Sequence, residues 1–69
     1  MEQWKVISGT YSRTFQKING AKRQYGMICR EIAEDEAESN KVQMLYRPNL
    51  DDDWQVIEEY IDGEDPEED

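Results

Sequence analysis

The segment AKRQYGMICREIAEDEA, residues 21–37, can form a helix or a strand, and the rest of the chain follows from which it takes. Its apolar residues Ala21, Tyr25, Ile28, Cys29, Ile32, Ala33 and Ala37 are separated by steps of three, four and one. At 3.6 residues per turn that spacing stacks them on one side of a helix. Lys22, Arg23, Arg30, Glu34, Asp35 and Glu38 fall on the opposite side. The competing signal is Asn19-Gly20, a strong hairpin dipeptide, which would make the segment a strand and the protein an all-β meander or barrel. That hairpin would set Lys17 opposite Lys22, like charge against like. In the helical alternative Asn19 caps the helix instead. Basic residues early and acids late oppose the macrodipole, at about 0.3–1 kcal/mol per exposed site. Burial of each large apolar side chain contributes about 1.5–3 kcal/mol, so the helix is the expected state.

Outward from this helix, Trp4-Lys5-Val6-Ile7 has the aromatic and β-branched composition of a strand. Residues 3–16 form one strand bent at Gly9 or two short strands, with Tyr11, Arg13 and Phe15 on one face. After Ser39-Asn40, residues 41–47 alternate, placing Val42, Met44 and Tyr46 together, and Pro48 stops the run. Residues 54–61 are expected as a strand with Trp54, Val56 and Tyr60 on one side and Ile57 and Ile61 on the other. A short helix capped by Asp52 and ended by Gly63 is the alternative there. Residues 63–69 are acidic and apolar-free, the composition of a disordered tail. The expected fold is a small α+β domain over residues 1–62, of plan β–α–β–β, an antiparallel sheet with one helix across a face.

A chain of 69 residues supports one small core and buries only about 60% of its unfolded surface. No apolar run is long enough to span a membrane, and the N-terminus lacks a signal-peptide pattern, so a cytoplasmic location is expected. The single cysteine, Cys29, forms no internal disulfide and is expected to be a buried packing residue.

There is no histidine, which removes the commonest general base and metal ligand together, and a zinc site with it. Neither a Gly-x-Ser-x-Gly elbow nor a phosphate-binding glycine loop occurs. Asn49, Asp51 and Asp53 have the odd-position spacing of a calcium loop. Trp54 stands where that loop needs glycine, and Tyr60 where it needs glutamate. Glu58 and Glu59 are paired carboxylates, but so small a sheet has no cleft for a sugar. No enzymatic activity, cofactor or metal is therefore expected.

Charge is the informative feature. Residues 1–30 hold six basic residues against Glu2 alone, whereas residues 31–69 hold Lys41 and Arg47 against sixteen acids. Glu31, Glu34, Asp35, Glu36 and Glu38 cluster at the helix end, Asp51, Asp52 and Asp53 fill a loop, and Glu58, Glu59 and Asp62 lie on or beside the last strand. A solvated, solubilising surface is the plain explanation. The functional one is that ordered carboxylates copy duplex DNA, which presents one charge per roughly 1.7 Å of axis. The expected partner-binding set is Glu31, Glu34, Asp35, Glu38, Asp51, Asp52, Asp53, Glu58, Glu59 and Asp62, and the expected partner is the basic surface of a nucleic-acid-processing protein. Monomer and homodimer are both open.

Two other functions compete. A small adaptor would use the free sheet face, with Trp4, Trp54 or Tyr60 as anchors. A single-strand binder would use Arg13, Lys17, Lys22, Arg23 and Arg30 near Tyr11 and Phe15, although the overall charge of −9 opposes direct nucleic-acid binding. In size, acidity and plan the chain is similar in kind to small phage inhibitors of host polymerases, restriction enzymes or CRISPR complexes. It shares no motif with them, so the resemblance assigns no residue a role.

Overall fold

The computed structural model describes residues 1–62. In chain order these form β1 (Gln3–Ser8), β2 (Tyr11–Phe15), α1 (Ile18–Ala33), β3 (Lys41–Arg47) and β4 (Gln55–Ile61). The four strands make one antiparallel sheet of order β2-β1-β3-β4. The helix lies across one face. The small α+β domain expected from sequence is the fold observed. The expected disordered tail, 63–69, lies outside the described residues.

Residues 3–16 are two strands rather than one bent strand. Gly9 takes φ +61 in the two-residue turn between them, a left-handed conformation that glycine adopts without a Cβ clash. Cross-strand partners share a face, so Trp4↔Phe15, Val6↔Arg13 and Ser8↔Tyr11 set Tyr11, Arg13 and Phe15 on the helix side, together as their alternation predicts. On β3, Val42 and Met44 also face the helix and are 0% and 2% exposed. They join Trp4, Val6, Ala21, Ile28 and Ile32 in one core, against which Tyr25, Cys29, Tyr46 and Tyr60 pack.

The helix begins earlier than its apolar stripe. Lys17 is the N-cap, with no side-chain capping bond, and Asn19 lies inside the first turn rather than capping it. Gly20, in that first turn, packs closely on β2: a Cβ there would come within 3.1 Å of the Phe15 ring.

The far end is a Schellman closure. Asp35 adopts φ 62, its N–H donates to the Ile32 carbonyl at 3.0 Å, and the Glu36 N–H donates to the Glu31 carbonyl at 2.7 Å. These bonds satisfy carbonyls that a helix end leaves open. Ala33, the last helical residue, is turned about 120° from Ala21 at roughly 100° per residue and is exposed, and Ala37 reaches the core from the following loop instead of from the helix.

A bulge on β4 corrects one expected face. The register runs Leu45↔Val56 and then Met44↔Glu58, leaving Ile57 without a partner. One extra residue exchanges faces in a two-residue repeat. Val56 therefore shares the open face with Leu45, while Tyr60 pairs with Val42 on the helix side. No helix among the described residues is long and apolar enough to cross a membrane.

Candidate functional site

The ten expected carboxylates do not form one patch. Glu31, Glu34, Asp35 and Glu38 lie where the helix closes and the loop returns to β3. Asp62 joins this end, because its N–H donates to the Asn40 carbonyl at 2.8 Å and Asn40 Nδ2 donates to the Asp62 carbonyl at 2.9 Å. The loop itself is fastened to the sheet by Ser8 Oγ, which donates to the Lys41 carbonyl at 2.7 Å. Asp51, Asp52 and Asp53 sit at the other end of the strands, in the β3–β4 turn. There the Asp52 N–H donates to the Asn49 carbonyl at 3.1 Å and Asn49 Nδ2 donates to the Asp52 carboxylate at 3.3 Å. A seven-residue strand at about 3.3 Å per residue holds the two groups roughly 20 Å apart.

Glu58 and Glu59 occupy the edge strand between those ends, on opposite faces. Glu59 pairs with Gln43 on the open face, accepts from Gln43 Nε2 at 2.9 Å, and sits 3.4 Å from Lys41 Nζ. Those contacts, the Gln43 bond first and Lys41 after it, hold its carboxyl below the usual glutamate value. Glu58 turns to the helix side, opposite Met44, where its charge is felt by Tyr25 and Cys29. Burial and the neighbouring Cys29, with Glu58 next, push the Tyr25 phenol up to about 12. Burial foremost raises the Cys29 thiol too, with Glu58 adding to it. Cys29 is half-buried rather than enclosed.

Two acids that the expected set omits belong to these groups. Glu2 accepts a hydrogen bond from Tyr46 Oη at 2.9 Å. That bond, more than the lesser effects of burial and of the Glu2 and Asp52 charges, raises the Tyr46 pKa. Glu2 thus stands with the Asp51–Asp53 turn, from which it is separated along the chain by about fifty residues. Being the one acid among the early basic residues concealed it. Glu36 is drawn onto Glu31 by the Schellman bond.

The aromatic residues sort differently from expectation. Trp4 is 8% exposed in the core, with its ring 5.5 Å from that of Tyr46, so it is not an anchor on a free face. Tyr60 is also on the helix side. Trp54 alone of the three flanks the open face, where Lys5 Nζ lies 4.7 Å and the Arg47 guanidinium 4.3 Å from its ring centroid. Arg47 is itself positioned by Gln3, whose Oε1 accepts from Nε at 3.0 Å and Nη2 at 2.7 Å. Tyr11 and Phe15, the stacking residues a single-strand binder would use, face the helix, and Arg13 covers the Phe15 ring at 5.1 Å.

Compared with protein-family models, with curated proteins and with solved structures, the chain matches none.

Proposed function

We propose that this protein is a non-enzymatic inhibitor or regulator that binds the basic surface of a nucleic-acid-processing protein, its carboxylates standing in for phosphates. Phage-type interference with a host defence complex or polymerase, in the host cytoplasm, is the setting this reading implies. One observation carries it: the fold keeps its charges apart. Twelve carboxylate side chains and eight cations lie within residues 1–62, yet Lys41–Glu59 is the one ion pair among the described residues. Lys5, Arg13 and Arg47 lie over aromatic rings instead. Unneutralised carboxylates repel one another and destabilise a small fold, while steering it toward a positively charged partner.

The test is affinity capture on the immobilised protein at low salt, followed by binding measurements with the purified partner. A partner that itself binds nucleic acid, is displaced by duplex DNA and weakens as salt rises supports the proposal. A partner held equally at about 1 M salt, where the Debye length is near 3 Å, and indifferent to Asp51→Asn, Asp52→Asn and Asp53→Asn together, overturns it.

That second outcome would favour an adaptor working through the open sheet face. The observation on its side is the exposure of Val56 and Ile57, 51% and 43%, next to Trp54. Val56→Ser would then weaken binding where the aspartate variants do not.

A further inference from the structure

We propose that the outer edge of β4 takes up an extended cationic segment of the partner protein as a fifth strand of the sheet. This rests on the proposed binding to a basic surface and names the form in which that surface is presented. β4 ends the sheet and pairs only with β3. Among the described residues no other segment bonds to the outer backbone groups of this strand. Open edges invite pairing, and natural sheets blunt them with proline, lysine, short strands or a covering helix. Gln55–Ile61 is seven residues long and holds neither proline nor lysine, and α1 packs on β1, β2 and β3 instead. The bulge at Ile57 still leaves Glu58 to Ile61 in regular register with β3.

The guard on this edge is charge of one sign, and that decides the occupant. A second copy is turned away, because full antiparallel overlap of two β4 strands sets the two Glu58 side chains opposite each other, like charge against like. The other edge, β2, is five residues long, carries Arg13 and runs into α1 after two residues, so it repels a cationic strand. The two faces of β4 then add a pattern. Glu58 is exposed on the helix side and is in no ion pair among the described residues. On the open face Glu59 already pairs with Lys41, and Val56 and Ile61 flank it there. Successive side chains of a strand point to opposite faces, so the matching segment alternates cations toward Glu58 with β-branched residues toward Val56. Main-chain bonds supply its affinity and the alternating side chains its selectivity.

The experiment is an NMR titration of the full chain with the peptide acetyl-Lys-Val-Lys-Val-Lys-Val-Lys-amide. Its control is the same peptide N-methylated at every residue, which keeps the charges and removes the backbone donors. Saturable shifts and slowed amide exchange along residues 55–61, with residues 11–15 unmoved, are expected for the first peptide. The N-methylated peptide should bind at least tenfold more weakly. Glu58→Lys should weaken the first peptide at least tenfold, while Glu34→Gln and Asp35→Asn together leave it within twofold. Equal binding of the two peptides, shifts centred on β2 or on the helix end, or no saturable shifts at all would each overturn strand addition. The titration needs no partner, so it can fail while the captured partner stays salt-sensitive, or succeed while that capture fails.

Discussion

Single backbone positions in this chain carry different strains, and substitutions at three of them should separate the causes. Gly9 is at φ +61, and a Cβ there would also meet Ser39 Cβ at 3.2 Å. Gly9→Ala should therefore lower stability by about 1–2 kcal/mol, the cost of a left-handed residue with a side chain. Gly26 is helical with nothing within 4 Å of an added Cβ, and Gly26→Ala should raise stability by about 0.5–1 kcal/mol. Asp35 occupies the left-handed closing position that glycine takes more cheaply. Asp35→Gly should stabilise too, since it also removes a negative charge from the negative end of the helix dipole. Urea midpoints for the three variants check all of these signs.

Tyr25 makes a pH prediction at the same scale. Its phenol is raised from 10.0 to about 12 in the fold, chiefly by burial. A group raised on folding adds stability that is fully present below its unfolded pKa and is lost as pH climbs through the folded value. Stability should therefore fall between pH 10 and 12. In an absorbance titration Tyr25→Phe should remove one late-ionising phenol and flatten that part of the profile.

Among the elements, the helix depends on a narrow buried stripe. Ile32 is 3% exposed, and Ile32→Ala should cost about 2–5 kcal/mol through lost transfer energy and the cavity left behind. In a domain this small, whose total stability falls near the low end of roughly 5–15 kcal/mol, that loss should leave a measurable unfolded fraction by circular dichroism. The β4 bulge predicts a subtler result. Deleting Ile57 leaves Val56 opposite Leu45 and Glu58 opposite Met44 without the extra residue. The variant should fold with Tyr60 still packed beneath the helix, as cross-strand NOEs to Val42 would show. Tyr60 emerging on the open face would mean that the bulge holds the register rather than accommodating it.

For the whole molecule, the consequence of unpaired acids is self-repulsion. With a net charge of −9 and one ion pair among the described residues, screening should stabilise the fold. The melting temperature should rise as salt shortens the Debye length from about 30 Å at 0.01 M to about 3 Å at 1 M. A fold held together by attractive surface pairs would lose stability over the same range. The opposite salt dependence of stability and partner binding is the signature of a charge excess kept for recognition: screening relieves the repulsion and weakens the attraction together.

Local periodicity determined much of this protein by itself. The apolar spacing of residues 21–37 placed Ala21, Ile28 and Ile32 on the buried face, and two-residue alternation placed Val42 with Met44 and Tyr11 with Phe15. Composition determined the charge excess and the absence of histidine chemistry. Each of these depends on neighbours within a turn or a pleat, which a linear reading can see. Tertiary structure alone decided the rest. Gly20 was packed against the Phe15 ring, and the faces of Val56 and Tyr60 were set by a bulge opposite β3. Trp4 went to the core because β1 became a central strand. The grouping of Glu2 with the Asp51–Asp53 turn, and of Glu31, Glu36 and Glu38 around a groove lined by Tyr11, joins residues far apart along the chain. Such proximity comes from strand pairing and helix docking, whose free energy is spread over the whole core and leaves no mark at the residues it brings together.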